Sequence, residues 1–269
     1  MSRRHPIALA LLVLGGVAMV LPLGFMFATS LKNPSDIYDM RLLPASPTLE
    51  NYGALLVHPS FLRWFLNSFV VATATTASVL FFDSLVGYTL AKFGFRGRGV
   101  VFIAILSTLM IPTEMLVIPW YVMARALGWL DSLWGIAFPG LMTGFGTFLM
   151  RQFFFDVPDD LLDAARIDGL GEFAIFRRVA LPLVRPAMSA LGILVFLGSW
   201  TAFLWPLVAT TDPSLYTLPV GLASLQGEFQ TNWAMIMTGS SLATLPTLIV
   251  FLLLQRHIVN GIALTGLKA

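Results

Sequence analysis

Residues 163–186 read DAARIDGLGEFAIFRRVALPLVRP, a charged, helix-forming segment flanked on both sides by apolar sequence. Just upstream, Pro158 suits a first helical position, where its missing N–H has no helical carbonyl to reach. Asp159 and Asp160 then fall in the first turn, against the positive end of the helix dipole. The spacing predicts a helix of about ten residues running to Asp168, with Gly169 as its left-handed stop. A second short helix is expected from near Gly171 and Glu172. Its apolar face is Phe173, Phe176 and Ala180, with Ile175 and Val179 beside them, and Arg177 and Arg178 lie opposite. Leu181-Pro182 and Pro186 end it and turn the chain into the next apolar run. Ala164 and Ala165 offer a small flat surface that a pocket can close around, and Asp163 and Arg166 supply charge at its rim. Two readings fit these residues: a loop that touches another protein, and an amphipathic loop lying on a membrane surface.

The flanking sequence settles the solvent. Hydrophobic residues make up 57% of the 269 and charged residues 11%, against roughly 25% charge in soluble domains. Mean hydropathy is +0.84. Several continuous apolar runs reach the ~20 residues needed to cross a bilayer core of roughly 30 Å. Continuous rather than alternating runs imply helical spans, in which backbone groups pair within the segment. The expected fold is an all-α integral membrane protein with a single domain over 1–269. Its six transmembrane helices are expected at about 7–28, 64–91, 100–124, 133–153, 187–209 and 234–254, with the polar loop 156–186 between spans 4 and 5. The first apolar run is longer than the ~7–15 residues of a signal-peptide core, so it reads as a retained span. Pro112 and Pro119 interrupt the third span, and residues 72–78 are small or hydroxyl-bearing, which permits close helix approach.

Six spans place both termini on one side. Twelve of the 16 Lys and Arg fall on that side, including Lys92, Arg96, Arg98, Arg177, Arg178 and Arg185; the other side holds Lys32, Arg41, Arg63 and Arg125. By the positive-inside rule, both termini and residues 156–186 are cytoplasmic. The net charge of +2 belongs to those loops and implies no nucleic-acid surface. The chain has no cysteine, which excludes disulfides and thiolate sites.

Written as a pattern, Asp163-Ala164-Ala165, three residues, Gly169, nine residues and Val179-x-Leu181-Pro182 resembles the EAA motif of ABC importer permeases. Asp163 stands for the family's Glu and Val179 for its Ile, and Leu170-Gly171 stands where Ala-Ser is common. Further matches resemble the carbohydrate-uptake branch with a maltose-type six-span subunit: Ser30-Leu31-Lys32, Asn51-Tyr52, Asn67-Ser68, Tyr88, Ile111-Pro112-x-Glu114, Ile118-Pro119, residues 148–154, Leu204-Trp205-Pro206-Leu207, Gln255-Arg256 and residues 259–261. Trp200-Thr201 replaces the family's Trp-Asn.

The resemblance implies a type I importer fold in a bacterial inner membrane. It implies a second permease subunit, a different chain or else a second copy of this one, an ATPase dimer on the cytoplasmic side that binds ATP and Mg, and an extracytoplasmic solute-binding protein. Residues 163–169 become a coupling helix seated in an ATPase cleft, with Asp163, Ala164, Ala165, Arg166, Asp168, Gly169, Leu181 and Pro182 as the coupling residues. The loop 210–233 resembles the segment that reaches toward the binding protein. The solute is expected to be a sugar or sugar derivative moved inward by alternating access, with glycerol phosphate as the alternative.

Glu114 and Asp83 are the only acids well inside expected spans, where ionisable groups are costly and often functional. Glu114, Trp200, Thr201 and Phe203 are candidates for the translocation path. The competing reading gives both acids interhelical hydrogen bonds and gives the aromatics a packing role. His5, His58 and His257 have no metal-like spacing, and no G-x4-G-K-[ST] phosphate loop occurs. The chain therefore reads as a transporter subunit without its own ATPase site, cofactor or metal. A secondary transporter would tend to show inverted repeats and a buried charge pair, and a membrane enzyme would cluster His, Asp or Ser on facing spans. Neither pattern is visible.

Overall fold

The apolar runs become helices in the computed structural model, which describes residues 6–39, 41–226 and 231–266. In chain order these are α1 (Pro6–Ser30), α2 (Glu50–Leu56), α3 (Phe61–Lys92), α4 (Arg98–Thr108), α5 (Val117–Ala126), α6 (Leu133–Ala137) and α7 (Gly144–Phe155). There follow α8 (Asp159–Ile167), α9 (Glu172–Ile175), α10 (Leu181–Leu183), α11 (Arg185–Trp200), α12 (Leu204–Ala209), α13 (Leu218–Ser224) and α14 (Trp233–Gly266). No strand forms among the described residues, which hold only an isolated bridge between Gln226 and Thr231. Arg3, Arg4, His5 and Lys268 lie outside the described residues, as do the side chains of Gln255, Arg256, His257 and residues 259–261.

Among the described residues three helices are long and apolar enough to cross a membrane unbroken: Ala8–Ser30, Phe61–Lys92 and Trp233–Leu252. Three bent pairs make six crossings if each pair counts as one. The first pair, Arg98–Thr108 with Thr113–Ala126, turns by 94°. Pro112 restricts Ile111 to extended backbone, and Leu109, Met110 and Ile111 each bond only three residues back. Pro119 is the third residue of α5, where no donor is needed. The expected fourth span is not continuous: Leu133–Gly140 and Gly144–Phe155 meet at 46°. Pro139 and Gly140 end the first piece, and Thr143 starts the second by accepting the Gly146 N–H at 2.9 Å. The expected fifth span breaks after Trp200, where the Thr201 hydroxyl donates back to Leu197 O at 2.8 Å. Pro206 then sits at the third position of α12, so the missing N–H costs no helical bond.

Two compact units are built from this chain, residues 1–63 with 220–246 and residues 64–219 with 247–269. In the first, the Asn51 amide donates to Ser30 O at 3.0 Å and Lys32 O at 2.7 Å, and the Ser30 hydroxyl pairs with Tyr52 at 2.7 Å. These bonds fasten the segment after α1 to α2. The Lys32 ammonium is buried and donates to Asp39 O at 2.7 Å. Most side chains from Leu9 to Leu23 are exposed and apolar, the kind of surface a bilayer covers.

In the second unit α3 is the central element. Gly87 lets α7 approach closely: a Cβ there would lie 2.8 Å from Arg151 N and 2.9 Å from Met150 Cβ. Asp83 is buried and accepts from Thr143 N at 3.0 Å and from the Thr143 hydroxyl at 2.7 Å, so a side chain of α3 caps α7. The Ser78 hydroxyl donates to Leu141 O at 2.7 Å in the gap of the same bent pair. The interhelical role expected as one reading of Asp83 is the one the structure displays.

Candidate functional site

The loop 156–186 is built on an apolar core. Leu162 and Ala165 of α8, Ile175 of α9, and Phe176 and Ala180 after it pack with Tyr88 and Ala91 of α3, Met150 and Phe154 of α7, and Ala187 and Leu191 of α11. Tyr88, Phe154 and Phe176 form a ring cluster with centroid separations of 5.3, 5.2 and 6.2 Å. Each fully buried apolar side chain of this size contributes roughly 1.5–3 kcal/mol. The loop is thus fixed to the ends of three helices.

α8 has nine residues and begins at Asp159. Pro158 takes the N-cap position with extended backbone, one residue earlier than the first helical position expected for it. Asp159 and Asp160 occupy the first turn as expected. Gly169 has φ +83°. Its N–H bonds Arg166 O at 3.0 Å and the Leu170 N–H bonds Ala165 O at 3.1 Å, a Schellman stop that tucks Leu170 against the core.

Past α9 the backbone widens into a π-turn over Phe176–Ala180, with Leu181 N–H bonded to Phe176 O. Pro182 has no N–H, and its ring would collide with the Arg178 carbonyl in a tight helix, so the wider turn relieves the clash. Leu181 and Pro182 therefore act on the shape of the loop. The chain then bends by 83° into Arg185–Trp200, with Pro186 in the first turn of α11.

Two sets of ion pairs hold α8. Lys92, the last residue of α3, donates to Val157 O at 2.6 Å and to the Asp159 carboxylate at 2.7 Å. Its side chain is 5% exposed and that of Asp159 75%. The Lys92 ammonium holds the Asp159 carboxyl below its ordinary range. At the other end, Arg166 donates to Asp163 at 2.5 Å and to Glu172 at 2.7 and 3.3 Å. Glu172, then Asp163, raises the guanidinium above its ordinary value. Asp163 and Arg166, expected to reach outward as rim charges, are thus paired with each other and tie α8 to α9.

The two alanines divide. Ala164 is exposed, whereas Ala165 is 6% exposed and faces the loop's own core. The flat surface expected from the pair is replaced by an outward row of Leu161, Ala164 and Asp168, with Ile167 beside it at 86% exposure. Leu162 and Ala165, three apart, form the inward row. The sequence did not announce Lys92 and Glu172 as partners of this helix; the first-turn position of Asp159 was visible, but its cation was not.

The candidates for the translocation path lie at helix breaks. Glu114 is exposed in the 3₁₀ turn at the bend before α5 and makes no hydrogen bond or ion pair among the described residues. Trp200 is 2% exposed, edge-on to Phe65 at 5.2 Å and stacked on Phe196 at 6.0 Å. Its ring is committed to packing, so the exposed members at this break are Thr201 and Phe203. Trp205 is also buried and donates to Gly135 O at 3.0 Å. Among the described residues no group of three or more His, Cys, Asp or Glu could hold a metal ion.

The opposite end of α3 holds a second loop. Trp64 Nε1 donates to Pro213 O at 2.9 Å, Asn67 donates to Ser214 O at 2.9 Å and Tyr216 O at 3.0 Å, and Ser68 accepts Leu218 N at 2.8 Å. Asp131, at φ 52°, accepts from Thr211 N, the Thr211 hydroxyl and Asp212 N. Those donors hold its carboxyl below the ordinary range.

The family model of binding-protein-dependent transport system inner membrane components matches residues 83–263. The arabinooligosaccharides transport system permease protein AraQ of Bacillus subtilis (strain 168) is 36% identical over 92% of this chain and 90% of its own length. The sn-glycerol-3-phosphate transport system permease protein UgpE of Agrobacterium fabrum is 34% identical over 96% of each. Among solved structures, a chain of a bacterial ABC transporter involved in the import of the acidic polysaccharide alginate superposes with a TM-score of 0.86 at 23% identity, over 95% of this chain and 98% of that one. A chain of a bacterial alginate ABC transporter in complex with an alginate pentasaccharide-bound periplasmic protein gives 0.65 at 14% identity, over 93% and 94%. The fold is that of an ABC importer permease, and the chain belongs to the family of binding-protein-dependent transport system inner membrane components.

Proposed function

We propose that this chain is a pore-forming permease subunit of an ATP-driven importer that moves an oligosaccharide, or a related sugar derivative, into the cytoplasm. The observation that carries the reading is α8. It is a short helix whose inner row is fixed to α3, α7 and α11 and whose outer row, Leu161, Ala164 and Asp168 with Ile167, is left uncovered. Such a helix can receive a push and pass it to three spans at once. A cytoplasmic ATPase dimer, binding ATP and Mg, closes on this surface and on its counterpart in a second permease subunit. The spans then rock as rigid bodies between inward- and outward-facing states. An extracytoplasmic protein delivers the solute, in line with the periplasmic protein of the alginate transporter complex. The excess of Lys and Arg on the side of 156–186 supports a cytoplasmic position for that loop and for both termini. The names of the relatives support a carbohydrate as solute.

The test is uptake in proteoliposomes holding the chain with its partner permease, ATPases and binding protein. Radiolabelled arabinooligosaccharide is expected to accumulate only with ATP, and unlabelled glycerol 3-phosphate in excess is expected not to compete. Competition by glycerol 3-phosphate would move the solute class to the glycerol phosphate permeases that are also relatives. Accumulation that ignores ATP and follows an ion gradient would overturn the importer reading.

A further inference from the structure

We infer that α3 is the rod that carries the movement of α8 across the membrane to the loop 210–218, and that Lys92 is the positioning residue that couples the two. The inference rests on the reading of α8 as the ATPase-contacting helix. Lys92 grips the start of α8 at two points, the Val157 carbonyl and the Asp159 carboxylate. The aliphatic stem of a lysine this buried is packed along its length, so α8 cannot shift without pulling on the last turn of α3. At the far end, Trp64, Asn67 and Ser68 hold four backbone groups of residues 213–218.

From Asn67 to Lys92 the helix rises without interruption through 25 residue steps, about 37 Å along the axis. Of the three long helices, α1 carries Pro22 and α14 carries Pro246, whereas α3 has no internal proline. The other crossings are bent pairs, which absorb motion at their breaks. Two of the side chains along α3, Ser78 and Asp83, also hold the break of the α6–α7 pair, so the same rod positions that hinge. A displacement entering at Lys92 thus has one unbroken element to travel through, and it reaches a loop that side chains of that element already hold.

The absence of native cysteine permits a direct test. A single Pro213→Cys, on the exposed side of the far loop, is labelled with a membrane-impermeant maleimide in the assembled transporter, with and without ATP plus vanadate. The labelling rate is expected to change about threefold or more with nucleotide. Lys92→Met, which keeps the stem and removes both hydrogen bonds, should abolish that change, and Lys92→Arg should restore it. Asn67→Leu at the opposite end should abolish it too, with no further loss in the double variant. A merely structural lysine would lower the yield of complex without erasing the nucleotide response. An undiminished response in Lys92→Met would overturn the proposal. Where that variant leaves no assembled complex, Asp159→Asn is read instead, and an unchanged response there overturns it equally. A nucleotide-dependent cross-link from Ala164→Cys to the ATPase, scored in the same preparations, separates the two readings. Its absence in the parent protein sinks the coupling role of α8, whereas its presence beside an intact far-loop response in Lys92→Met sinks only the rod.

Discussion

Asp83 and Asp131 are both acids that accept hydrogen bonds from a neighbouring segment, and their surroundings make them respond to change in different ways. Asp83 is buried between α3 and the start of α7, where Thr143 donates to it from both its N–H and its hydroxyl. In Asp83→Ala both acceptor oxygens are lost, leaving the Thr143 N–H without its buried partner at a cost of about 1–3 kcal/mol. A lower melting temperature of the detergent-solubilised protein is the expected result, and an unchanged one would contradict the capping role. Asp131 lies on the surface and clips Thr211 and Asp212. Its carboxyl is depressed below the ordinary 3.8. A depressed carboxylate contributes stability that is fully present above its unfolded value and is lost only as pH falls through the lower folded value. Between pH 5 and 8 the clip is therefore insensitive to acid. Hydrogen exchange at the Thr211 and Asp212 amides, corrected for intrinsic rate, should give flat protection over that range and a loss of about tenfold in Asp131→Asn, the equivalent of roughly 1.4 kcal/mol.

At the scale of elements, the closeness of α3 and α7 is a glycine property. An alanine at position 87 would place its Cβ against the backbone nitrogen of Arg151, which cannot rotate away as a side chain can. Gly87→Ala should cost about 1–3 kcal/mol through displacement of one helix, read as lowered thermal stability. A melting temperature equal to the parent's would show that α3 and α7 do not approach so closely at Gly87. The local features of this region were legible in the sequence because they depend on neighbours a few residues apart. The acidic first turn of α8, its stop at Gly169 and the proline-driven turn into α11 belong to that class. The inward face of Ala165 was also present in the spacing, since Leu162 lies one turn earlier, but reading Ala164 and Ala165 as a pair concealed it. Pro139, Gly140 and Thr143 spelled the break of the fourth crossing, and a continuous apolar run hid their punctuation. The Lys92–Asp159 contact joins residues 67 apart and exists only because two helices meet, so no local pattern announces it.

For the whole molecule, the proposed import depends on α8 being the surface on which a nucleotide-driven partner acts. Its faces make that claim specific to single residues: Ala164 is exposed and Ala165, its neighbour, is buried. The most direct measurement is site-specific cross-linking in the assembled transporter, with one cysteine in the cleft of the ATPase and one at either Ala164 or Ala165 of this cysteine-free chain. Ala164→Cys is predicted to cross-link efficiently and to change its yield with ATP, while Ala165→Cys stays unreacted. Equal cross-linking from both positions, or none from Ala164→Cys in a complex that still takes up solute with ATP, would contradict the account.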